Sequence, residues 1–212
     1  MKRNIASTVI ACVAFMALLL GLMLHRFLSP AVLSNAQLAE NGLFVYDIPR
    51  PVAAFALSDH EGAAFTEERL QGQWSLLFFG YTFCPDICPV TLATIRQFEQ
   101  LLKEYEEDVR LQVVMISVDP QRDTAEKLDA YMSYFSEDYI GVTGEYIDIF
   151  SLGRQLNVAF GYQPADNGDY LVNHSGEIVL INPAGEFQGF FKVPHDPEKM
   201  TKNFRSVLAT WH

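Results

Sequence analysis

Two cysteines, Cys84 and Cys88, stand with three residues between them in Gly80-Tyr81-Thr82-Phe83-Cys84-Pro85-Asp86-Ile87-Cys88-Pro89, directly after an apolar run. Three chemistries fit such a pair. A structural disulfide is geometrically open to it, but a loop this short removes little entropy from the unfolded chain. A dithiol–disulfide couple would use the same position, although that class normally places two residues between its cysteines. A soft-metal site is the third, since two thiolates suit copper(I) and also zinc. That site needs a third ligand.

The chain has five histidines. His25 abuts an apolar segment and His212 is the terminal residue. His60 sits in the turn Ser58-Asp59-His60-Glu61-Gly62, where a surface role is expected. His195, in Pro194-His195-Asp196-Pro197, reads as the lead-in to a helix. His174 lies between two strand-like runs, in Tyr170-Leu171-Val172-Asn173-His174-Ser175-Gly176-Glu177. Asp86, Asp119 and Arg122 invite a catalytic reading. The simpler one is that Asp119-Pro120 ends a strand while Arg122 and Asp123 fix the start of the next helix. Asp86 is then a candidate for supporting a ligand.

These residues must be positioned by the elements around them. Trp74 to Phe79 and Leu111 to Val118 are short continuous apolar runs, as in strands buried on both faces. Pro89 fits the first position of a helix in which Leu92, Ile95, Phe98, Leu102 and Tyr105 recur at three and four. Cys88 then falls near the N-cap and Cys84 in the preceding loop, where free N–H groups and the helix dipole favour a thiolate. Asp123-Thr124-Ala125-Glu126 reads as an N-cap with a reciprocal Glu, opening a helix to Phe135. Val52 to Leu57 and Tyr170 to Val172 are strand-like, and Glu145 to Leu156 is helical. Glu177 to Ile181 and Phe187 to Phe191 flank the hairpin signal Asn182-Pro183-Ala184-Gly185, and Pro197 to Thr210 closes the chain as a helix.

The order predicts an α/β, thioredoxin-like domain: a central mixed sheet flanked by helices, with a β-hairpin insertion. In such a fold the cysteine loop leaves the carboxyl end of a buried strand, where α/β sheets carry their sites. The loop holding His174 should face it. Thioredoxin-like reductases keep a cis-proline at that facing position, and no proline occurs from residue 165 to 181, which disfavours a thioredoxin-type substrate groove.

The first 24 residues are of another kind. Met1-Lys2-Arg3-Asn4 precedes Ile5 to Leu24, twenty residues without a charge. At about 1.5 Å per residue they span roughly 30 Å, a bilayer's hydrocarbon core. A cleaved signal peptide competes with this reading, but the run exceeds an h-region and Leu22-Met23-Leu24-His25 has no small-x-small cleavage site. The predicted organisation is a transmembrane anchor at 5–24, a linker at 25–47 and the thioredoxin-like domain at 48–212. Lys2 and Arg3 should keep the N-terminus in the cytoplasm of an energy-transducing inner membrane, crossed once. The domain then lies in the periplasm, or in the intermembrane space if the source is mitochondrial. Residues 48–212 carry 12 Lys and Arg against 24 Asp and Glu, a net −12, which excludes a nucleic-acid partner.

Three motifs, Phe79 to Pro89, Ser117-Val118-Asp119-Pro120-Gln121-Arg122-Asp123-Thr124 and Tyr170 to Ser175, resemble the Sco (SenC-type) family, membrane-anchored copper chaperones of cytochrome c oxidase assembly. The resemblance covers roughly residues 47 to 212 plus the anchor. It implies that Cys84, Cys88 and His174 bind copper, as copper(I) and possibly also copper(II). It further implies that Cys84 and Cys88 can cycle to a disulfide. The implied partners are oxidase subunit II or another copper-accepting client, with other copper chaperones or thiol reductases upstream. Delivery of copper and reduction of the client's thiols both remain open, and so does a metal-free thiol–disulfide oxidoreductase using the same pair. Two positions depart from a common family pattern: Phe83 replaces a frequent His, and Asn173 stands where Asp is frequent and carries no negative charge.

Overall fold

In a computed structural model of the protein, residues 2–28, 32–106, 108–164 and 170–211 are described, with side chains except at 2–6 and 25–28. Their helices are α1 (Lys2–Leu28), α2 (Asn35–Glu40), α3 (Ile87–Lys103), α4 (Ala125–Phe135), α5 (Tyr146–Gln155) and α6 (Pro197–Thr210). Their strands are β1 (Leu43–Pro51), β2 (Leu57–Asp59), β3 (Ala64–Phe65), β4 (Trp74–Gly80), β5 (Leu111–Ser117), β6 (Ile140–Thr143), β7 (Phe160–Pro164), β8 (Tyr170–His174), β9 (Ile178–Ile181) and β10 (Glu186–Phe191).

Eight strands form one mixed sheet in the order β1-β10-β9-β4-β5-β6-β2-β3. Its centre is parallel, β4 to β5 and β5 to β6, because helices α3 and α4 make the crossovers. β9 and β10 add antiparallel strands on the other side of β4. All seven residues of β4 are buried, as a central strand covered on both faces requires. The hairpin turn closes on Asn182, whose Oδ1 accepts from the N–H groups of Ala184 and Glu186 at 3.0 Å each. Gly185 supplies its left-handed residue at φ 79°. The α/β, thioredoxin-like architecture predicted from element order is the observed one.

Several boundaries move. The linker expected at 25–47 does not extend that far: α2 and β1 already belong to the domain. Ser34 and Gln37 form a capping box on α2, and Leu38 and Leu43 enter the core. β1 pairs with β10 so closely that a Cβ on Gly189 would lie 2.0 Å from the Phe44 carbonyl oxygen. The strand expected at Val52 to Leu57 begins only at Leu57, where pairing with β3 and β6 starts. Strands β7 and β8 leave the main sheet and form a two-stranded antiparallel ribbon in which Phe160 faces His174.

α1 contains Ser7–Leu24, a window of mean hydropathy 2.5 with none of it buried, long and apolar enough to cross a membrane.

Candidate metal centre

α3 starts at Ile87, two residues earlier than the proline suggested, so Cys88 lies inside the first turn. Asp86 is the N-cap by position, yet its side chain makes no capping hydrogen bond. The sulfur of Cys84 takes that part: it accepts from the Cys88 N–H at 3.5 Å and from the Asp86 N–H. Asp86 therefore supports the site through its backbone.

The two thiols are unequal. Cys88 is fully buried, whereas Cys84 is half-buried. A hydrogen bond from Cys88 draws the Cys84 thiol down to about 4, outweighing burial, with further help from the two backbone N–H groups. That same bond, followed by burial, drives Cys88 upward. Cys84 is thus the more acidic of the two thiols, and Cys88 the one that keeps its proton longer.

His174 is the last residue of β8 rather than part of a loop. Its Nδ1 lies 3.0 Å from the Ser175 carbonyl, which can only accept, so Nδ1 carries the proton. Nε2 then presents its lone pair to Cys88 Sγ, 3.3 Å away. The rings of Phe78 and Tyr81 stand edge-on to the imidazole at 5.8 and 5.9 Å between centroids. Asn173 points to the other side of the ribbon and donates to Gln163 Oε1 at 2.8 Å. The group that orients His174 is consequently a backbone carbonyl, and the missing Asp charge at 173 does not touch the ring.

Among the described residues, the ligand atoms of Cys84, Cys88 and His174 all lie within 4.8 Å of one another. Metal–ligand bonds of about 2.0–2.3 Å put the ligand atoms of a trigonal ion roughly 3.5–4 Å apart. Two sulfurs and one imidazole nitrogen at this spacing fit a soft ion such as copper(I) with small side-chain adjustments.

The segment after β5 braces this centre. Asp119 is fully buried, pairs with Arg122 and accepts from the Tyr170 hydroxyl at 2.7 Å. The Arg122 guanidinium lies 3.8 Å from the Tyr170 ring centroid and 5.1 Å from that of Phe83. One side chain thereby links the cysteine loop to the ribbon that carries His174. Asp123 does not cap α4; Thr124 does, and Asp123 turns inward to Thr82 and Ser117. The expectation that these residues merely start a helix is corrected. Their role was hidden because the acceptors they serve are distant in sequence.

His60 and His195 are not in this centre, and neither is a bare surface residue. The His60 side chain is 12 % exposed and its Nδ1 accepts the Gly141 N–H at 3.0 Å, tying the turn after β2 to β6. His195 lies with its Nε2 2.8 Å from the Gly176 carbonyl oxygen.

With this geometry in place, the SCO1/SenC family model matches residues 48–209. The chain belongs to the SCO1/SenC family. It is 38% identical over 161 residues to a Stutzerimonas stutzeri protein named for copper binding, covering 76% of this chain and 78% of that one. It is 41% identical over 160 residues to Saccharomyces cerevisiae SCO2, a mitochondrial protein, covering 74% of this chain and 52% of that one. Of the mitochondrial SCO relatives the chain thus spans less than two thirds, from 44% to 62%. Among solved structures, copper-bound Arabidopsis thaliana ScoI superposes with a TM-score of 0.71 at 34% identity, covering 75% of this chain and 98% of that one. Copper-bound yeast Sco1 gives 0.71 at 30% identity, covering 77% and 91%.

Proposed function

We propose that this SCO1/SenC protein is a membrane-anchored copper metallochaperone in which Cys84, Cys88 and His174 hold the cargo ion. One observation carries the reading: two sulfurs and an imidazole lone pair converge from a helix N-terminus and a strand end, with no carboxylate among them. The copper-bound relatives support it. Copper is cargo here, so the site must also let go. Cys84 is half-buried and already a thiolate, which suits it to be the sulfur that an incoming client ligand replaces. The client is the copper-accepting subunit II of cytochrome c oxidase, as the family resemblance implies, or another protein with a thiolate copper site. α1 anchors the protein in the inner membrane, and the domain at 48–212, extended by α2 and β1, works in the periplasm.

A second reading is kept alive by the split thiols. A depressed Cys84 beside a protonated Cys88 is also what thiol–disulfide exchange requires, and a reductase of client cysteines would use it without metal. Anaerobic copper(I) titration of the reduced full chain in detergent separates the two. One tightly held copper per chain, lost in Cys84→Ser and Cys88→Ser, is expected. Absence of stoichiometric copper would leave the reductase.

A further inference from the structure

His174 ends β8, and the turn at Ser175 and Gly176 carries the chain away toward β9. The first carbonyl of that turn takes the Nδ1 proton of His174 and so decides which ring nitrogen faces the sulfurs. The turn is fastened at several points. Ser175 N–H donates to the Ala159 carbonyl at 2.9 Å, and Ser175 Oγ accepts from the Ala159 N–H at 3.2 Å. At Gly176 a Cβ would stand 2.9 Å from Cδ1 of Ile87, which lies between the two cysteines, and 2.9 Å from Cγ1 of Val193. The last fastening is His195, whose Nε2 lies 2.8 Å from the Gly176 carbonyl oxygen. A carbonyl only accepts, so Nε2 carries the hydrogen.

That tautomer leaves Nδ1 of His195 as a buried lone pair with no hydrogen-bond partner among the described residues, an arrangement that costs free energy. A residue serving only to lead into α6 has no need of it. Asp196 already caps that helix, its Oδ1 accepting from the N–H groups of Glu198 and Lys199 at 3.0 and 3.1 Å. Burial also lowers the affinity of His195 for a second proton, against the pull of the Gly176 carbonyl. The ring therefore stays a neutral, single N–H donor.

We propose that His195 is a positioning residue for the copper centre: by holding the Gly176 carbonyl, it fixes the turn on which the ring orientation of His174 depends. The proposal rests on the reading of Cys84, Cys88 and His174 as copper ligands. Its action is indirect. It keeps the Ser175 carbonyl under His174 Nδ1, so that Nε2 is the nitrogen offered to the ion. The same hydrogen bond ties the segment after β10 to the turn that packs on Ile87, so the ligands from α3 and β8 share one support.

The test compares His195→Phe, which keeps a ring but no donor, with His195→Gln, which keeps a donor of similar reach. Both are made in the full chain in detergent with ¹⁵N-labelled histidine. In the metal-free protein, long-range proton–nitrogen spectra should show His174 as a single Nδ1–H tautomer in wild type and His195→Gln. His195→Phe should show a mixture. After addition of copper(II), the Phe variant should bind at least about tenfold more weakly, with an altered electron paramagnetic resonance signal. The Gln variant should recover to within about threefold. A single unchanged His174 tautomer with a wild-type copper signal in His195→Phe would overturn the proposal. So would a Gln variant as impaired as the Phe variant, since that would make His195 a packing residue. Wild-type protein that bound no copper would defeat the ligand assignment alone, and the tautomer comparison would still decide the part played by His195.

Discussion

Asp123 holds Thr82 twice, accepting its hydroxyl at 2.6 Å and its N–H at 3.1 and 3.2 Å, while also accepting from Ser117 Oγ at 2.6 Å. Thr82 lies two residues before Cys84, so this carboxylate anchors the root of the cysteine loop to the end of β5. Asp123→Ala should cost about 1–3 kcal/mol of stability, because it strands buried donors. The cysteines should also become more accessible. Urea denaturation and the alkylation rate of Cys88 measure the two effects, and a wild-type value for both would refute the anchoring role.

Burial raises the Asp123 pKa above the ordinary 3.8. The folded state therefore keeps this proton after the unfolded state has lost it. The contribution is complete below the unfolded value and is lost as pH rises through the folded one. Asp123→Asn should flatten the fall in stability over the range just above pH 3.8. A pH–stability curve parallel to wild type there would count against the assignment.

Cys84 and Cys88 should differ in reactivity toward iodoacetamide. With its pKa at about 4, Cys84 is already a thiolate at neutral pH, so its rate should be nearly flat from about pH 6 to 8. An ordinary thiol would gain roughly tenfold per pH unit there. Cys88, buried and protonated, should react far more slowly. Peptide mapping by mass spectrometry resolves the two, and faster labelling of Cys88 would contradict the split.

His174→Ala separates metal binding from thiol exchange. The dithiol should still oxidise, and copper(I) should still be held by two sulfurs, but copper(II) binding should fall more than about tenfold. In cells lacking the wild-type gene the variant should fail to restore oxidase activity, as should Cys84→Ser and Cys88→Ser. Full restoration by His174→Ala beside failure of both cysteine variants would favour the reductase.

Topology is testable separately. A reporter that works only outside the cytoplasm, fused after His212, should be active, because Lys2 and Arg3 precede the uncharged span. Activity of a cytoplasm-only reporter at the same point would invert the orientation.

What the chain alone determined is whatever depends on local pattern. Two apolar runs of six and eight residues can only be buried strands, the Asn182 to Gly185 turn can only fold back, and Pro197 after Asp196 opens a helix. Those signals sufficed for the element order and hence for the thioredoxin-like fold. That Cys84, Cys88 and the distant His174 come together was legible because the fold's order puts strand ends together; their reading as copper ligands came from the family resemblance. Tertiary structure decided the rest, because it turns on partners far away in sequence. The reach of the domain back to Leu33 depends on contacts with α6, where the Leu33 N–H donates to Ser206 Oγ at 2.7 Å. Asp123 resembles a helix cap until β4 and β5 bring Thr82 and Ser117 to it. Asn173 looks like the natural support for His174, but strand alternation sends neighbouring side chains to opposite faces. The Ser175 carbonyl takes its place. The unequal thiols likewise arise from depth of burial and from one shared proton, which no spacing of two cysteines can specify.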